Sequence, residues 1–356
     1  MKDVKDVPGI AAPLCLWYRQ GHRDLPWRNT RDPYAIWISE IMLQQTRTEA
    51  VKPYYFAFLE ALPNVEALAS VSDEKLNKLW QGLGYYSRAR NLKRAAGEIM
   101  SRFGGRMPQT KQELLTLPGI GSYTAGAIAS IAFGEAVPAV DGNVLRVISR
   151  LIGDGRDILD PNRKREYEAL LLPVIPKDGA GDFTQALIEL GATICGPNTA
   201  PNCEICPLNE MCCAYQEGLT DKIPYRAPKQ ARKKQKKTVM VISDGTRWLL
   251  HKRGAEGLLA GLYEFPTIEG EPTPNQVYEE LARLGVSPIS IVETPPAKHI
   301  FTHIEWDMAG ICVTVDGEKT VKPKEGSNYV WVTLDEMREQ YAIPSAFRAF
   351  VPKGAK

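Results

Sequence analysis

The chain has 356 residues, 44% of them hydrophobic and 24% charged, with a formal net charge of only +2. That length exceeds one compact core and argues for two domains; the near-neutral balance confines any basic surface to a local patch, and no apolar run approaches the ~18 residues of a membrane span. The start, MKDVKDVPGIAAPLCLWYRQ, has a short apolar run broken by Pro13 and is no secretory signal, so a cytosolic or nuclear compartment is expected.

From residue 1 to 218 the apolar spacing is mostly helical, over 34–46, 73–81, 87–101, 122–133, 142–152, 163–173 and 182–194. Asp32-Pro33 supplies a cap and a first-turn proline, and Thr110 with Glu113 forms a capping box. Residues 219–237 hold two prolines and a dense basic run, KQARKKQKK, which suits a solvated linker or a track for phosphates. From Thr238 the pattern becomes strand-like about an Asp-Gly turn, with further strands at 289–293, 308–315 and 328–332 and a helix at 275–285. The division expected is therefore a mainly α domain over 1–218, a basic linker over 219–237 and an α+β domain over 238–356.

Four features carry chemistry. LPGIGSYTAGAIAS (117–130) puts a glycine turn, Gly119 and Gly121, ahead of a helix, which exposes N–H groups to an anion or simply joins two helices. Glu40 sits on the helix 34–46 with Ile36, Trp37 and Leu43 as neighbours; desolvation there lets it keep a proton near neutrality, unless its carboxylate reaches water at the core margin. Asp141 precedes a helix in VPAVDGNVLRVISRL, as an ordinary N-cap or as a carboxylate aimed into a cleft. One protonated and one charged carboxyl is the pairing that breaks glycosidic bonds. Finally, Cys195, Cys203, Cys206 and Cys212 follow a C-x7-C-x2-C-x5-C spacing, four of the chain's seven cysteines on one loop, which suits a [4Fe–4S] cluster better than disulfides or a zinc ribbon.

LPWR (25–28), WISEIMLQQT (37–46), GLGYYSRARNL (82–92), LPGIGSYTAGAI (117–128), VDGNVLRV (140–147) and the cysteine loop, followed by LLAGLYEFP (258–266) and HIFTH (299–303), resemble the MutY family of adenine DNA glycosylases over nearly the whole chain. The resemblance implies a helix-hairpin-helix glycosylase domain with an iron–sulfur loop, followed by a Nudix-like lesion-recognition domain. It implies excision of adenine opposite 8-oxoguanine or guanine in duplex DNA by a monomeric, cytoplasmic, nucleoid-associated enzyme of bacterial type. By the same resemblance, Glu40 protonates the base and then activates water. Asp141 stabilises the oxocarbenium ion, with Asn143 and Tyr123 supporting that carboxylate. Trp27, Arg28, Leu43 and Gln185 line the pocket of the flipped adenine. Gln45 and Tyr85 wedge into the stack, Gly119 and Gly121 grip phosphate, and Phe301, Thr302 and His303 meet 8-oxoguanine.

The related endonuclease III branch carries a lysine where Tyr123 stands. A tyrosine has no amine for a Schiff base, so a monofunctional enzyme is expected, with a glycosylase/lyase as the alternative. Glu279 and Glu280 lack the preceding Arg-Glu of a Nudix hydrolase. Two departures stand out: one more residue than usual separates Cys195 from Cys203, and Thr302 replaces the family's serine.

Overall fold

The computed structural model describes residue 7 and residues 9–197, 200–228, 231–316 and 327–352. Residues 198 and 199 of the cysteine loop and 229 and 230 of the basic run lie outside them. The helices are α1 (Ala11–Gly21), α2 (Pro33–Met42), α3 (Thr48–Ala61), α4 (Val65–Ser70), α5 (Asp73–Leu79), α6 (Ser87–Phe103), α7 (Lys111–Leu114), α8 (Ser122–Phe133), α9 (Gly142–Leu151), α10 (Pro161–Leu171), α11 (Ala180–Thr193), α12 (Cys213–Gln216), α13 (Pro274–Arg283) and α14 (Leu334–Glu339). The strands are β1 (Lys233–Ser243), β2 (Arg247–Lys252), β3 (Tyr263–Glu264), β4 (Thr267–Glu269), β5 (Pro288–Ile300), β6 (Ile304–Val315) and β7 (Tyr329–Thr333). No helix among the described residues is long and apolar enough to cross a membrane. The helical first part and the mixed sheet of the second bear out the expected fold class.

The chain forms two compact units, one of Met1–Ser70 with Asn91–Pro228, the other of Val71–Arg90 with Lys229–Lys356. In the first, α9 shows how pattern becomes packing. Val144, Val147, Ile148 and Leu151 share one helical face and are buried with Leu14 and Tyr18 of α1 and Phe183, Leu187 and Leu190 of α11. Asp141 caps α9, and Asp32 and Thr110 cap α2 and α7 with the bonds their spacing predicts. At Gly191 on α11 an added Cβ would lie 2.6 Å from Asn143 Cβ, so a glycine there lets α11 press against the start of α9. That contact fixes where Asp141 and Asn143 sit.

The helix expected over 34–46 stops at Met42, because Gln45 takes a left-handed backbone, φ 59°, which a continuing helix does not allow. Helices α1, α3 and α4 were not expected. Residues 219–228 are tied to the first unit: Ile158 N–H donates to Tyr225 O and Arg150 Nε to Ile223 O.

In the second unit, among the described residues, one sheet runs in the order β3-β2-β1-β6-β5, with β4 paired to β1 and β7 to β2. The β1 strand begins at Lys233 rather than Thr238, because it pairs in parallel with β6 from Lys233↔Ile304 to Ser243↔Thr314. Half of the basic run is therefore strand. Alternation places Val239 and Val241 in a core with Phe265, Trp306 and Phe347, and Met240 and Ile242 in a core with Leu281 and Val313 on the other face. The β5 strand continues to Ile300 through a bulge between Thr294 and Ala297, where two prolines interrupt the ladder. Residues 71–90 belong to this unit. Gln81 Nε2 donates to Ile343 O, Lys78 Nζ to Tyr341 O and Lys252 Nζ to Glu74.

Candidate active site

A cavity of about 460 Å³ opens in the first unit between α2, the start of α8, the N-terminus of α9 and α11. Its lining includes Trp27, Arg28, Glu40, Leu43, Tyr123, Asp141, Asn143 and Gln185. Distances in sequence of more than 140 residues are closed by the packing of α9 and α11 described above.

Glu40 is buried, 6% exposed, on an α2 face that the rest of the helix makes almost wholly apolar. Burial pushes its carboxyl up to about 7; the hydrogen bond from Tyr123 opposes this, Asp141 adds to it, and Arg28 opposes it. Tyr123 donates its hydroxyl to Glu40 Oε2 at 2.6 Å. This corrects the expectation that Tyr123 supports Asp141. Asp141 is already supplied: Oδ1 accepts the backbone N–H of Asn143 at 2.9 Å and of Val144 at 2.8 Å, and Oδ2 accepts Asn143 Nδ2 at 2.7 Å. The tyrosine goes to the carboxyl without such donors. Enclosure raises the Asp141 carboxyl too, but its three N–H donors work against that and favour the charged form. Enclosure, followed by the two carboxylates, holds the Tyr123 phenol well above its ordinary value, so it stays a donor.

Asn143 is itself held. Arg146 Nη2 donates to Asn143 Oδ1 at 3.0 Å and to Gly191 O at 2.7 Å, and its Nε donates to Cys195 O at 2.7 Å. Arg28 donates to Glu189 Oε2 at 2.6 Å, and Trp27 packs edge-on to Tyr55 with ring centroids 5.5 Å apart. Gln185, 9% exposed, lies one helical turn before Glu189 on α11. Sequence reasoning missed Arg23, Gln44 and Thr46 in the lining and Glu189 behind it. A buried glutamate in an apolar helix, IEL within ALIELGA, was the available signal for the last.

The remaining candidates lie apart from the cavity's depth. Gln45 reaches its rim, exposed and at φ 59°. Gly119 has φ +75° and, with Gly121, is exposed at the hairpin before α8; a Cβ on Gly119 would come within 2.6 Å of Asn91 Cβ. In the second unit Tyr85, at φ 48°, accepts or donates a 2.9 Å hydrogen bond with the hydroxyl of Thr302. Phe301 is anchored beside Trp306 with ring centroids 4.8 Å apart, which leaves Thr302 and His303 exposed on the turn between β5 and β6.

Cys195, Cys206 and Cys212 pack against the α9–α11 core, and Arg150 Nη1 donates to Cys195 Sγ at 3.1 Å. Burial raises the Cys206 thiol to about 11, and the sulfurs of Cys195, Cys212 and Cys203 add to this, so the four act on one another. Among the described residues no set of three Cys, His, Asp or Glu side chains converges as it would around one ion. A donor set of mutually interacting thiols with a guanidinium beside it fits a group that binds thiolates.

Fold, hairpin and paired carboxyls define a class: helix-hairpin-helix proteins of base-excision repair. The family described as HhH-GPD superfamily base excision DNA repair protein matches residues 38–176, and the NUDIX domain family matches 238–353. The adenine DNA glycosylase of Mus musculus is 35% identical over 392 aligned residues, covering 94% of this chain and 76% of the mouse protein. That of Homo sapiens is 33% identical, covering 98% and 75%. Among solved structures, a thermostable thymine-DNA glycosylase is 32% identical with TM-score 0.53, covering 58% of this chain and 95% of that one. A non-covalent endonuclease III–DNA complex is 26% identical with TM-score 0.52, covering 62% and 99%. The chain belongs to the adenine DNA glycosylase family.

Proposed function

We propose that this protein excises adenine opposite 8-oxoguanine or guanine in duplex DNA by hydrolysis, and leaves an abasic site. The observation that carries this reading is the pair of unlike carboxyls on one cavity: Glu40, buried and holding a proton near neutrality, and Asp141, which burial also raises but whose charged form three N–H donors favour. The target base leaves the stack to enter the cavity between Trp27, Arg28, Leu43 and Gln185. Glu40 delivers its proton to adenine N7, and the bond from C1′ to N9 breaks with its electron pair going to the base. The Asp141 carboxylate stabilises the oxocarbenium ion, with Asn143 orienting it. Glu40, now charged, takes a proton from the water that attacks C1′. The hydroxyl of Tyr123 aims Glu40 and offers no amine for strand cleavage.

Gly119 and Gly121 would meet backbone phosphate, Gln45 and Tyr85 would wedge at the lesion, and the Phe301-Thr302-His303 turn would read 8-oxoguanine. Cys195, Cys203, Cys206 and Cys212 would hold a [4Fe–4S] cluster; bound there, it supplies four iron–thiolate bonds that close the loop. A monomer acting on DNA in a bacterial-type cytoplasm is the working form in this reading.

The test is strand breakage, with and without alkali, of duplexes holding one adenine opposite 8-oxoguanine or opposite guanine. Breakage only after alkali, faster opposite 8-oxoguanine, is the expected result. Breakage without alkali would favour the lyase alternative, and no breakage in either treatment would sink the catalytic reading.

A further inference from the structure

Behind the cavity wall lies a buried charge cluster that the excision chemistry does not use. Glu189 of α11 is 1% exposed and takes bonds from two arginines. Arg23 donates from Nε at 2.9 Å, from Nη2 at 2.7 Å and from its backbone N–H at 3.1 Å. Arg28 donates from Nη2 at 2.6 Å, and its Nη1 donates to Arg23 O at 3.1 Å. The Arg28 guanidinium also stands 5.5 Å over the Tyr18 ring. Burial works to raise the Glu189 carboxyl, but the bonds from Arg23 and Arg28 win and hold it at about 2. Glu189 is thus an anion at every working pH.

The groups facing Glu40 make this cluster consequential. From the short turn Pro26–Arg28 comes a cation, Arg28; from α8 the neutral phenol of Tyr123; from the start of α9 the Asp141 carboxylate; from α11 the neutral Gln185; and from α3, Thr48. Arg23 lines the same cavity. Arg28 is the cation whose field acts on Glu40 and favours its charged form. A guanidinium with a flexible stem and five donors pairs with whichever carboxylate it can reach. Two carboxyls are within its range of influence, and it is bonded to one.

We propose that Glu189 is a positioning residue: it keeps the Arg28 guanidinium engaged on the α11 side of the cavity, and so preserves Glu40 as a proton donor rather than an ion-paired carboxylate. The proposal rests on the glycosylase reading above. It also assigns the two arginines distinct duties. Arg23 and its carbonyl complete the socket, and Arg28 presents fixed N–H donors to the base.

The test is single-turnover adenine release across pH for the wild type, Glu189→Gln, Glu189→Asp, Arg28→Gln and the double variant Glu189→Gln/Arg28→Gln. Glu40 acts while protonated, so activity is present below its pKa and lost above it. Freed Arg28 would lower that pKa, and the alkaline limb of Glu189→Gln is expected to move to lower pH by about half a unit or more. Glu189→Asp, which keeps the charge, should retain the wild-type limb. In the Arg28→Gln background, Glu189→Gln should move the limb no further. A uniform loss at every pH, or the same shift without Arg28, would overturn the proposal and leave Glu189 a structural ion-pair residue. Should Glu189→Gln not fold, Arg28→Lys replaces it. It keeps one charge but loses the fork that spans Glu189 and Arg23 O, and a limb superimposed on the wild type would overturn the proposal equally. Failure of the underlying reading looks different: the wild type then releases no adenine, or Glu40→Gln still does, and either removes the proposal with it.

Discussion

Each unit carries a helix whose glutamate invites a catalytic role, and they differ in what surrounds it. On α2, Glu40 is buried among apolar neighbours, and Tyr123 gives it one neutral donor. On α13, Glu280 is gripped by Arg283, whose Nε donates at 2.7 Å, and Glu279 is exposed. Burial raises the first carboxyl; the second is a half-buried partner of an arginine. Glu40 lines a cavity, and Glu280 is not in its lining. They also differ in whether a guanidinium reaches the carboxylate, and Glu189, held by two arginines, shows that contrast inside the first unit.

The comparison breaks first at Glu40. Replacing it with glutamine should slow adenine release by about 10² to 10⁴-fold while sparing duplex binding, read by single-turnover kinetics beside a binding titration. Retained release would remove the distinction between the two glutamates. Asp141→Asn keeps the cap but removes the charge, and a loss of about 10² to 10³-fold in the same assay is expected. A stability measurement sharpens the comparison further. The folded-state pKa of Glu40 lies near 7, above its ordinary value of 4.5. Its contribution is therefore fully present below about 4.5 and lost as pH rises through 7. Chemical denaturation at pH 8 should show Glu40→Gln more stable than the wild type by about 1 to 3 kcal/mol, a difference that shrinks as pH falls and vanishes only below about pH 4. The smallest effect belongs to the second unit. Arg283→Ala should change stability by less than about 1 kcal/mol, because the arginine side chain is 60% exposed, and should confer no magnesium-dependent hydrolysis of an oxidised nucleoside triphosphate. Pyrophosphate release by that variant would show that Arg283 alone had silenced the helix.

Much of this was legible in the residues. Helices with continuous apolar faces, such as α8, α9 and α11, and caps with local spacing, such as Thr110 with Glu113, depend on neighbours in sequence and were read nearly to their ends. Helix α3 was not, because Pro53 lies inside it and breaks the pattern by which a helix is recognised. The start of β1 was hidden because Lys233 to Lys237 read as a solvated charge run, and only pairing with β6 makes them strand. At the cavity, residue types were legible and partners were not. Nothing in the order Tyr123, Asp141, Asn143 reveals that the amide claims one carboxylate and leaves the phenol for Glu40. The Arg23–Arg28–Glu189 socket spans more than 160 residues, and no local pattern announces it.

The grouping of residues 71–90 with 229–356 has a consequence for how the chain is made. The carbonyls of Tyr341 and Ile343 receive side chains from Lys78 and Gln81, about 260 residues earlier. During synthesis that early segment emerges long before its partners exist, and the loop that must close spans about 260 residues. Completion of the second unit thus awaits the synthesis of residues 341–343. A fragment beginning at the basic run would lack the segment altogether.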